Sequence, residues 1–175
     1  DFARWELIAR HTVGIGDLAS EPGDSVVNGA LDRAGVAGLA DSLPSGLDTQ
    51  LGAQLGGAEL SLGQWQKLAL GRAMMRSAPL LLILDEPTAS LDAPTEHALF
   101  ERFAGAARAV ASDSGGITVL VSHRFSTVRM ADLIVVMSAG RIAEVGTHAE
   151  LMAAGGLYAE LYRLQARAYR VSTVP

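Results

Sequence analysis

Apolar and polar positions in the middle of the chain alternate between strand and helix patterns. Leu80 to Leu84 is apolar throughout and ends in Asp85-Glu86, and Ile117 to Val121 is a second such run that ends in Ser122-His123. Runs that are apolar on both faces are typical of buried parallel strands. Between them, Pro94 to Ala111 has a helical pattern with proline in its first turn. The alternation predicts an α/β fold with a parallel sheet.

The first 60 residues predict a small helical lobe without strands. Apolar residues recur at helical spacing from Asp24 to Leu43, with an interruption at Gly35, and a Gly-rich loop covers residues 52–57. Gln64 to Arg76 predicts the next helix.

The C-terminal part predicts a β-hairpin and two helices. Leu133 to Met137 and Arg141 to Val145 flank Ser138-Ala139-Gly140, a spacing typical of a hairpin. Thr147 to Glu150 has the pattern of a capping box, which opens a helix. The last helix carries three leucines on one stripe: Leu157, Leu161 and Leu164.

Composition excludes several classes of protein. The net charge is −5, and the scattered arginines form no basic face of the kind that nucleic-acid binding requires. The chain has no cysteine, which excludes disulfides and thiolate metal sites. Its apolar runs are far shorter than the ~20 residues that span a bilayer.

Two adjacent carboxylates after a buried strand, Asp85 and Glu86, are the strongest chemical signal. If both carboxylates were buried and unpaired, their desolvation would cost free energy. A bound cation or a polar site is therefore a natural reason for their position. Such carboxylates can hold Mg²⁺ or polarise an attacking water. The alternative is an ordinary solvent-exposed strand end.

Three weaker signals leave a structural interpretation open. Ser61, Gly63 and Gln64 begin a predicted helix, where backbone N–H groups favour a phosphate, but for this segment alone an ordinary capping box is the favoured explanation. Ser90-Leu91-Asp92 alone is a plain turn, and His123 alone is more often structural.

Together and in this order, the segments resemble the ATP-binding cassette of ABC transporters. Leu60 to Gln64 resembles the signature motif, and Leu81 to Glu86 resembles Walker B with its following glutamate. Ser90-Leu91-Asp92 resembles the D-loop, and His123 resembles the switch histidine. Gly146 to Leu151 resembles the end of exporter-type cassettes, those fused to a membrane domain.

The resemblance implies a partial RecA-like P-loop NTPase sheet core plus an α-helical signature subdomain. It implies a helical subdomain at 1–76, the α/β core at 77–150 and C-terminal helices at 151–175. Within the core, Asp85 would hold Mg²⁺, Glu86 would polarise the attacking water and His123 would contact the γ-phosphate. Asp92 would couple the two sites of a cassette dimer. The partner's ATP would be served by the signature residues Ser61, Leu62, Gly63 and Gln64.

The resemblance also implies partners and a location. The cofactors would be ATP and Mg²⁺, and the partners a second cassette, identical or different, and a transmembrane domain. The site of action would be the cytoplasmic face of the plasma (inner) membrane, where hydrolysis drives substrate export.

Two departures from the family pattern stand out. Leu62 occupies a position where the family most often has Gly, and we expect at most a modest effect. Walker A, Gly-x-x-x-x-Gly-Lys-Ser/Thr, is missing, because the only lysine is Lys67, preceded by Gln64-Trp65-Gln66. The Q-loop glutamine would precede Asp1, so we expect a C-terminal portion of a cassette. Alone, it should bind MgATP very weakly, hydrolyse it undetectably, expose an apolar sheet edge and aggregate.

Other functions stay open. The chain could be a non-catalytic partner module that donates only the signature motif, or a soluble ABC ATPase such as a translation factor. A chromosome-maintenance or repair ATPase fits less well, because those proteins place coiled coils before the signature, where this chain has a short Gly-rich loop.

Overall fold

A computed structural model of the chain describes residues 2–19, 21–87, 99–101, 103–105 and 115–171. The chain forms two compact units, Asp1–Val121 and Ser122–Pro175. The mixture of helices and parallel strands confirms the predicted α/β class. The three-part division at residues 76 and 150 stays a prediction.

The N-terminal part of the first unit is helical, as predicted. Its helices are α1 (Ala9–Gly14), α2 (Asp24–Arg33), α3 (Leu62–Ala73) and the 3₁₀ turns Ala37–Ser42, Gly46–Asp48 and Ala53–Leu55. Helix α2 ends before Gly35, whose φ of +73° is easy only for glycine. The core joins these helices through Ala9, Val13, Val27, Ala30, Leu31, Leu39, Leu43, Leu47, Leu51, Trp65, Leu68 and Met75.

An arginine fixes the helices of this lobe to one another. The Arg10 guanidinium on α1 lies 2.5 Å from an oxygen of Asp24 at the start of α2, and 2.6 Å from an oxygen of Asp48. Because one side chain joins three elements, its geometry supports the packing of the lobe more than an isolated surface pair would.

Helix α3 begins two residues earlier and ends three residues earlier than the sequence predicts. It begins after Ser61, whose hydroxyl accepts the backbone N–H of Gln64. It ends before Met74, where the Arg33 guanidinium donates to the Met74 carbonyl from Nε (3.1 Å) and Nη2 (2.8 Å). A distant arginine therefore satisfies the end of α3, which no local pattern could reveal.

The two predicted parallel strands are present and adjacent. They are β1 (Leu81–Asp85) and β2 (Ile117–Val121), paired in parallel from Leu81 with Ile117 to Asp85 with Val121. The prediction that they are buried on both faces is wrong. One face is exposed at Leu81, Ile83, Ile117, Val119 and Val121.

The prediction fails because an apolar run indicates that the strand is hydrophobic but does not show whether another element covers each of its faces. Leu84, on the other face, is only 4% exposed, whereas Ile117 is 63% exposed. Of the helix predicted between the strands, Pro94 to Ala111, residues 99–101 and 103–105 are helical, and the rest lies outside the described residues.

The exposed sheet face predicts self-association of the isolated chain. Contiguous apolar surface of this kind promotes association. We expect the purified 175-residue chain to form oligomers as its concentration rises, and Val119→Thr combined with Ile117→Lys to reduce them. Light scattering over a concentration series measures this. A monodisperse wild-type monomer would contradict the expectation.

The second unit contains the predicted hairpin. Strands β3 (Ile134–Ser138) and β4 (Arg141–Gly146) pair antiparallel with a bulge between Val136 and Met137. The turn residues Ala139 and Gly140 have φ of +49° and +73°, the left-handed conformations that two-residue hairpin turns favour.

Three helices complete the second unit: α4 (Phe125–Val128), α5 (His148–Ala154) and α6 (Leu157–Val171). The predicted capping box opens α5, since the Glu150 carboxylate accepts from the backbone N–H of Thr147. Hydrogen bonds from the backbone N–H and from the hydroxyl of Thr147 lower the pKa of the Glu150 carboxyl group. Among the described residues, no helix is both long and apolar enough to cross a bilayer.

Helix α6 does not bury the stripe of leucines that the sequence indicates. Leu161 and Leu164 are exposed, whereas Tyr158 is only 2% exposed. The Glu144 carboxylate accepts the backbone N–H groups of Leu157 (2.6 Å) and Tyr158 (3.0 Å) and so fixes the start of the helix. Tyr158 packs edge-on to Phe125 and shares a 2.8 Å hydrogen bond with His148 Nδ1.

Candidate functional site

The paired carboxylates lie at the carboxyl end of β1, where parallel sheets commonly bind ligands. Asp85 is the last residue of the strand and Glu86 follows it, and both are exposed. Their exposure removes most of the desolvation cost that burial would impose on two charged carboxylates.

The backbone at Glu86 is in an unusual conformation. Its φ is +42°, in the left-handed region, which costs a non-glycine residue about 1–2 kcal/mol. Its backbone N–H donates to the Val121 carbonyl at 3.0 Å, which extends the pairing of β1 with β2 by one residue. Strained backbone of this kind persists only where the surroundings hold it.

A side chain from α3 contacts the same turn. Gln66 Nε2 donates a 2.8 Å hydrogen bond to the carbonyl of Pro87, which is buried. The turn that carries Glu86 is therefore held by β2 on one side and by α3 on the other. Sequence reasoning missed Gln66, because nothing in its spacing singles it out from other polar residues of α3.

The start of α3 is a capping box, as the structural interpretation of this segment predicts. The Ser61 hydroxyl accepts from Gln64 N–H at 3.3 Å, and Gln64 Oε1 accepts from Ser61 N–H at 2.9 Å. Leu62, the first residue of the helix, is 58% exposed. The capping box does not exclude phosphate binding, since the exposed N-terminus of the helix still carries its partial positive charge.

The glycine of this segment is not required by the packing of the chain. A Cβ built on Gly63 meets nothing within 4 Å, and the residue lies outside the left-handed region. Gly71, on the same helix, differs: its Cβ would lie 2.6 Å from Leu31 Cδ2, so glycine there allows α2 and α3 to pack. The open surface at Gly63 leaves room for a group from outside the chain.

A cavity of about 700 Å³ lies between α3 and β1. Every residue from Leu81 to Pro87 lines this cavity, whereas no residue of β2 does. The cavity therefore follows the edge of β1 that β2 does not cover. On the helix side it reaches Gln66, Arg72 and Arg76. Partial burial lowers the pKa of Arg72, whose Nη2 donates to the Ala3 carbonyl at 3.3 Å.

The remaining predicted site residues do not lie in the described part of the first unit. His123 lies two residues after the end of β2, belongs to the second unit and is exposed. Its carbonyl accepts from Gln165 Nε2 at 3.2 Å. Asp92, with the rest of Ser90-Leu91-Asp92, lies outside the described residues. The structure thus brings Asp85 and Glu86 together and joins their turn to α3, the helix that Ser61 opens.

Comparison with known proteins identifies relatives over most of the chain. The profile of the ABC transporter family matches residues 21–89. The chain is 44% identical over 155 residues to the ATP-dependent lipid A-core flippase of Bordetella avium (strain 197N), covering 89% of this chain and 24% of that protein. It is 39% identical over 163 residues to the nisin transport ATP-binding protein of Lactococcus lactis subsp. lactis, covering 93% of this chain and 26% of that protein.

A solved structure shares the fold. It is a bacterial Atm1-family ABC exporter with ATP bound, and the TM-score is 0.74 at 32% identity, covering 93% of this chain and 26% of the exporter chain. The chain thus spans about a quarter of the length of each of these three proteins. The predicted fold, a partial P-loop NTPase sheet with a helical subdomain, is confirmed. The chain belongs to the ABC transporter family, and its 175 residues form part of an exporter-type ATP-binding cassette.

Proposed function

We propose that the chain supplies the hydrolytic carboxylates and the signature motif of a cassette that couples MgATP hydrolysis to export across a membrane. It works in a head-to-tail dimer with a second cassette, at the cytoplasmic face of the plasma (inner) membrane, attached to a transmembrane domain. The names of its relatives, a lipid A-core flippase and a nisin transport protein, support export but do not identify a substrate for this chain.

The observation that carries the proposal is the placement of Asp85 and Glu86. Both carboxylates are exposed at the carboxyl end of a parallel strand, and the backbone of their turn is held from two sides. A general base must present its oxygens to water while its backbone stays in place. Glu86 is exposed and its backbone is held from two sides, and we assign it the polarisation of the attacking water.

Asp85 fits a magnesium site that the nucleotide completes. Among the described residues, no group of three or more His, Cys, Asp or Glu side chains could hold a metal by itself. Mg²⁺ does not need such a group, because it commonly binds through one or two carboxylates, water and substrate phosphates. When bound, the ion would neutralise charge on the phosphates, and Asp85 would hold it there.

The signature residues serve the ATP of the other cassette. Ser61, Gln64 and the open backbone at Gly63 stand at the exposed start of α3. His123 contacts the γ-phosphate in the chain's own site, and Asp92 couples the two sites. Leu62 projects into solvent and is compatible with this role.

A phosphate-binding loop must come from residues other than these 175, which contain no Walker A sequence. The direct test therefore uses a chimera, called the exchange protein, in which this chain replaces the matching segment of a relative. In the Bordetella avium flippase, the segment of about 155 residues that aligns with this chain is replaced by the corresponding residues of this chain. We expect the purified exchange protein to hydrolyse MgATP at a rate within about tenfold of the flippase. An exchange protein that is folded and dimeric but inactive would refute the proposal.

A second candidate is a partner module that donates only its signature motif. The open surface at Gly63 and the lack of Walker A favour it. In that case Ser61 and Gly63 matter and Glu86 does not. Substitution of Glu86 in the exchange protein separates the two functions.

A further inference from the structure

We propose that Gln66 is a positioning residue for the Glu86 carboxylate, which it holds through its hydrogen bond to the Pro87 carbonyl. The inference rests on the proposed role of Glu86. It joins α3, the helix that begins with the signature motif, to the hydrolytic carboxylate of the same chain.

The conformation of the turn makes such support necessary. Glu86 has a φ of +42°, in a region of backbone conformation that residues other than glycine seldom adopt. It also precedes Pro87, whose ring further restricts the conformation of the residue before it. Relaxation of this turn would swing the Glu86 side chain away from its present direction.

Among the described residues, hydrogen bonds on both sides of Glu86 hold the turn. The Glu86 N–H is anchored to Val121 on β2 at 3.0 Å. On the far side, Pro87 has a φ fixed by its ring, so its carbonyl direction depends on rotation about one bond. Gln66 Nε2, at 2.8 Å, fixes that carbonyl. Loss of this donor removes the hydrogen bond from α3 that fixes the direction of the Pro87 carbonyl.

The location of the hydrogen bond between Gln66 and Pro87 distinguishes it from an ordinary structural hydrogen bond. Gln66, Glu86 and Pro87 line the same cavity, so the bond lies beside the carboxylates. Gln50, in contrast, donates from Nε2 to the Glu6 and Leu51 carbonyls, at 3.0 and 2.9 Å, within the helical lobe. Gln50 has the same chemistry without a connection to the site, and it is a matched control.

The test uses the exchange protein with Gln66→Ala, Gln66→Glu and Gln50→Ala. Gln66→Glu keeps the size of the side chain and removes its amide donor. We expect both Gln66 variants to lower kcat for MgATP by about 10- to 100-fold, because a displacement of a reacting group by about 1 Å can cost about 100-fold in rate. KM for ATP should change less than about twofold, as for a group that acts in the hydrolytic step. Gln50→Ala should match the parent.

A second measurement follows the turn itself. Hydrogen–deuterium exchange of the peptide covering residues 81–87 should become faster in both Gln66 variants and stay unchanged in Gln50→Ala. If Gln66→Ala fails to assemble, Gln66→Glu decides, since it preserves the volume of the side chain.

The outcomes separate this inference from the proposed function. If Glu86→Gln abolishes hydrolysis while Gln66→Glu keeps the parental kcat, the inference is wrong and the proposed function stands. If Glu86→Gln keeps full activity, the proposed function fails and the inference fails with it. An equal loss of kcat in Gln50→Ala would show that Gln66 acts through general stability, and would also overturn the inference.

Discussion

In the exchange protein, Glu86→Gln is expected to lower kcat for MgATP hydrolysis by about 100-fold or more, the range that loss of a general base produces. The substitution removes the negative charge that polarises water and keeps the size of the side chain. Because Glu86 is exposed, it should not disturb folding. Phosphate release at saturating MgATP measures the effect, and ATP binding should be retained.

A matched glutamate provides the control for this substitution. Glu160 is also exposed, in the first turn of α6, and belongs to no proposed site. Glu160→Gln should leave kcat unchanged. If Glu86→Gln stays within about threefold of the parent, Glu86 is not the base and the signature-donor function becomes the better account.

Two glycines on α3 should respond to alanine in opposite ways. Gly63→Ala places a methyl group in open space, and alanine favours helix by about 1 kcal/mol, so stability should rise or stay constant. Hydrolysis by the exchange dimer should nevertheless fall at least tenfold, because the methyl group occupies the surface proposed for the partner's phosphate.

Gly71→Ala should lower stability instead. Its Cβ would lie 2.6 Å from a methyl carbon of Leu31, which is 1% exposed, and overpacking of this kind costs about 1–3 kcal/mol. Thermal unfolding of both variants, together with their ATPase rates, makes the comparison. If Gly63→Ala destabilises the protein as much as Gly71→Ala does, glycine at position 63 is a requirement of the fold and not of a ligand.

Local patterns predicted the elements that local forces determine. Strands β1 and β2 and the hairpin appear close to their predicted bounds, because apolar runs and the turn at Ala139-Gly140 define them directly. The capping boxes at Ser61 and Thr147 are present for the same reason.

What depends on distant contacts could not be predicted. The end of α3 is set by Arg33, which is 41 residues from Met74 in sequence. The buried face of α6 follows from Tyr158 packing on Phe125 and from the Glu144 carboxylate at the start of the helix, and not from its leucine stripe. The left-handed turn at Glu86 and its bond from Gln66 leave no periodic signal in the sequence.

Motifs predict the candidate site more directly than the chemistry of single residues does. Asp85 and Glu86 stand where the parallel-strand rule places them, at the carboxyl end of β1. The roles of Ser61, His123 and Asp92 stay predictions, because they concern a nucleotide and a second cassette.

The proposed function implies that these 175 residues hold complementary parts of two ATP sites and the whole of neither. It is tested most directly by comparing MgATP hydrolysis by the isolated chain with hydrolysis by the exchange protein, each with and without Glu86→Gln. We expect no detectable activity from the isolated chain and Glu86-dependent activity from the exchange protein. Glu86-dependent hydrolysis by the isolated chain would contradict this account.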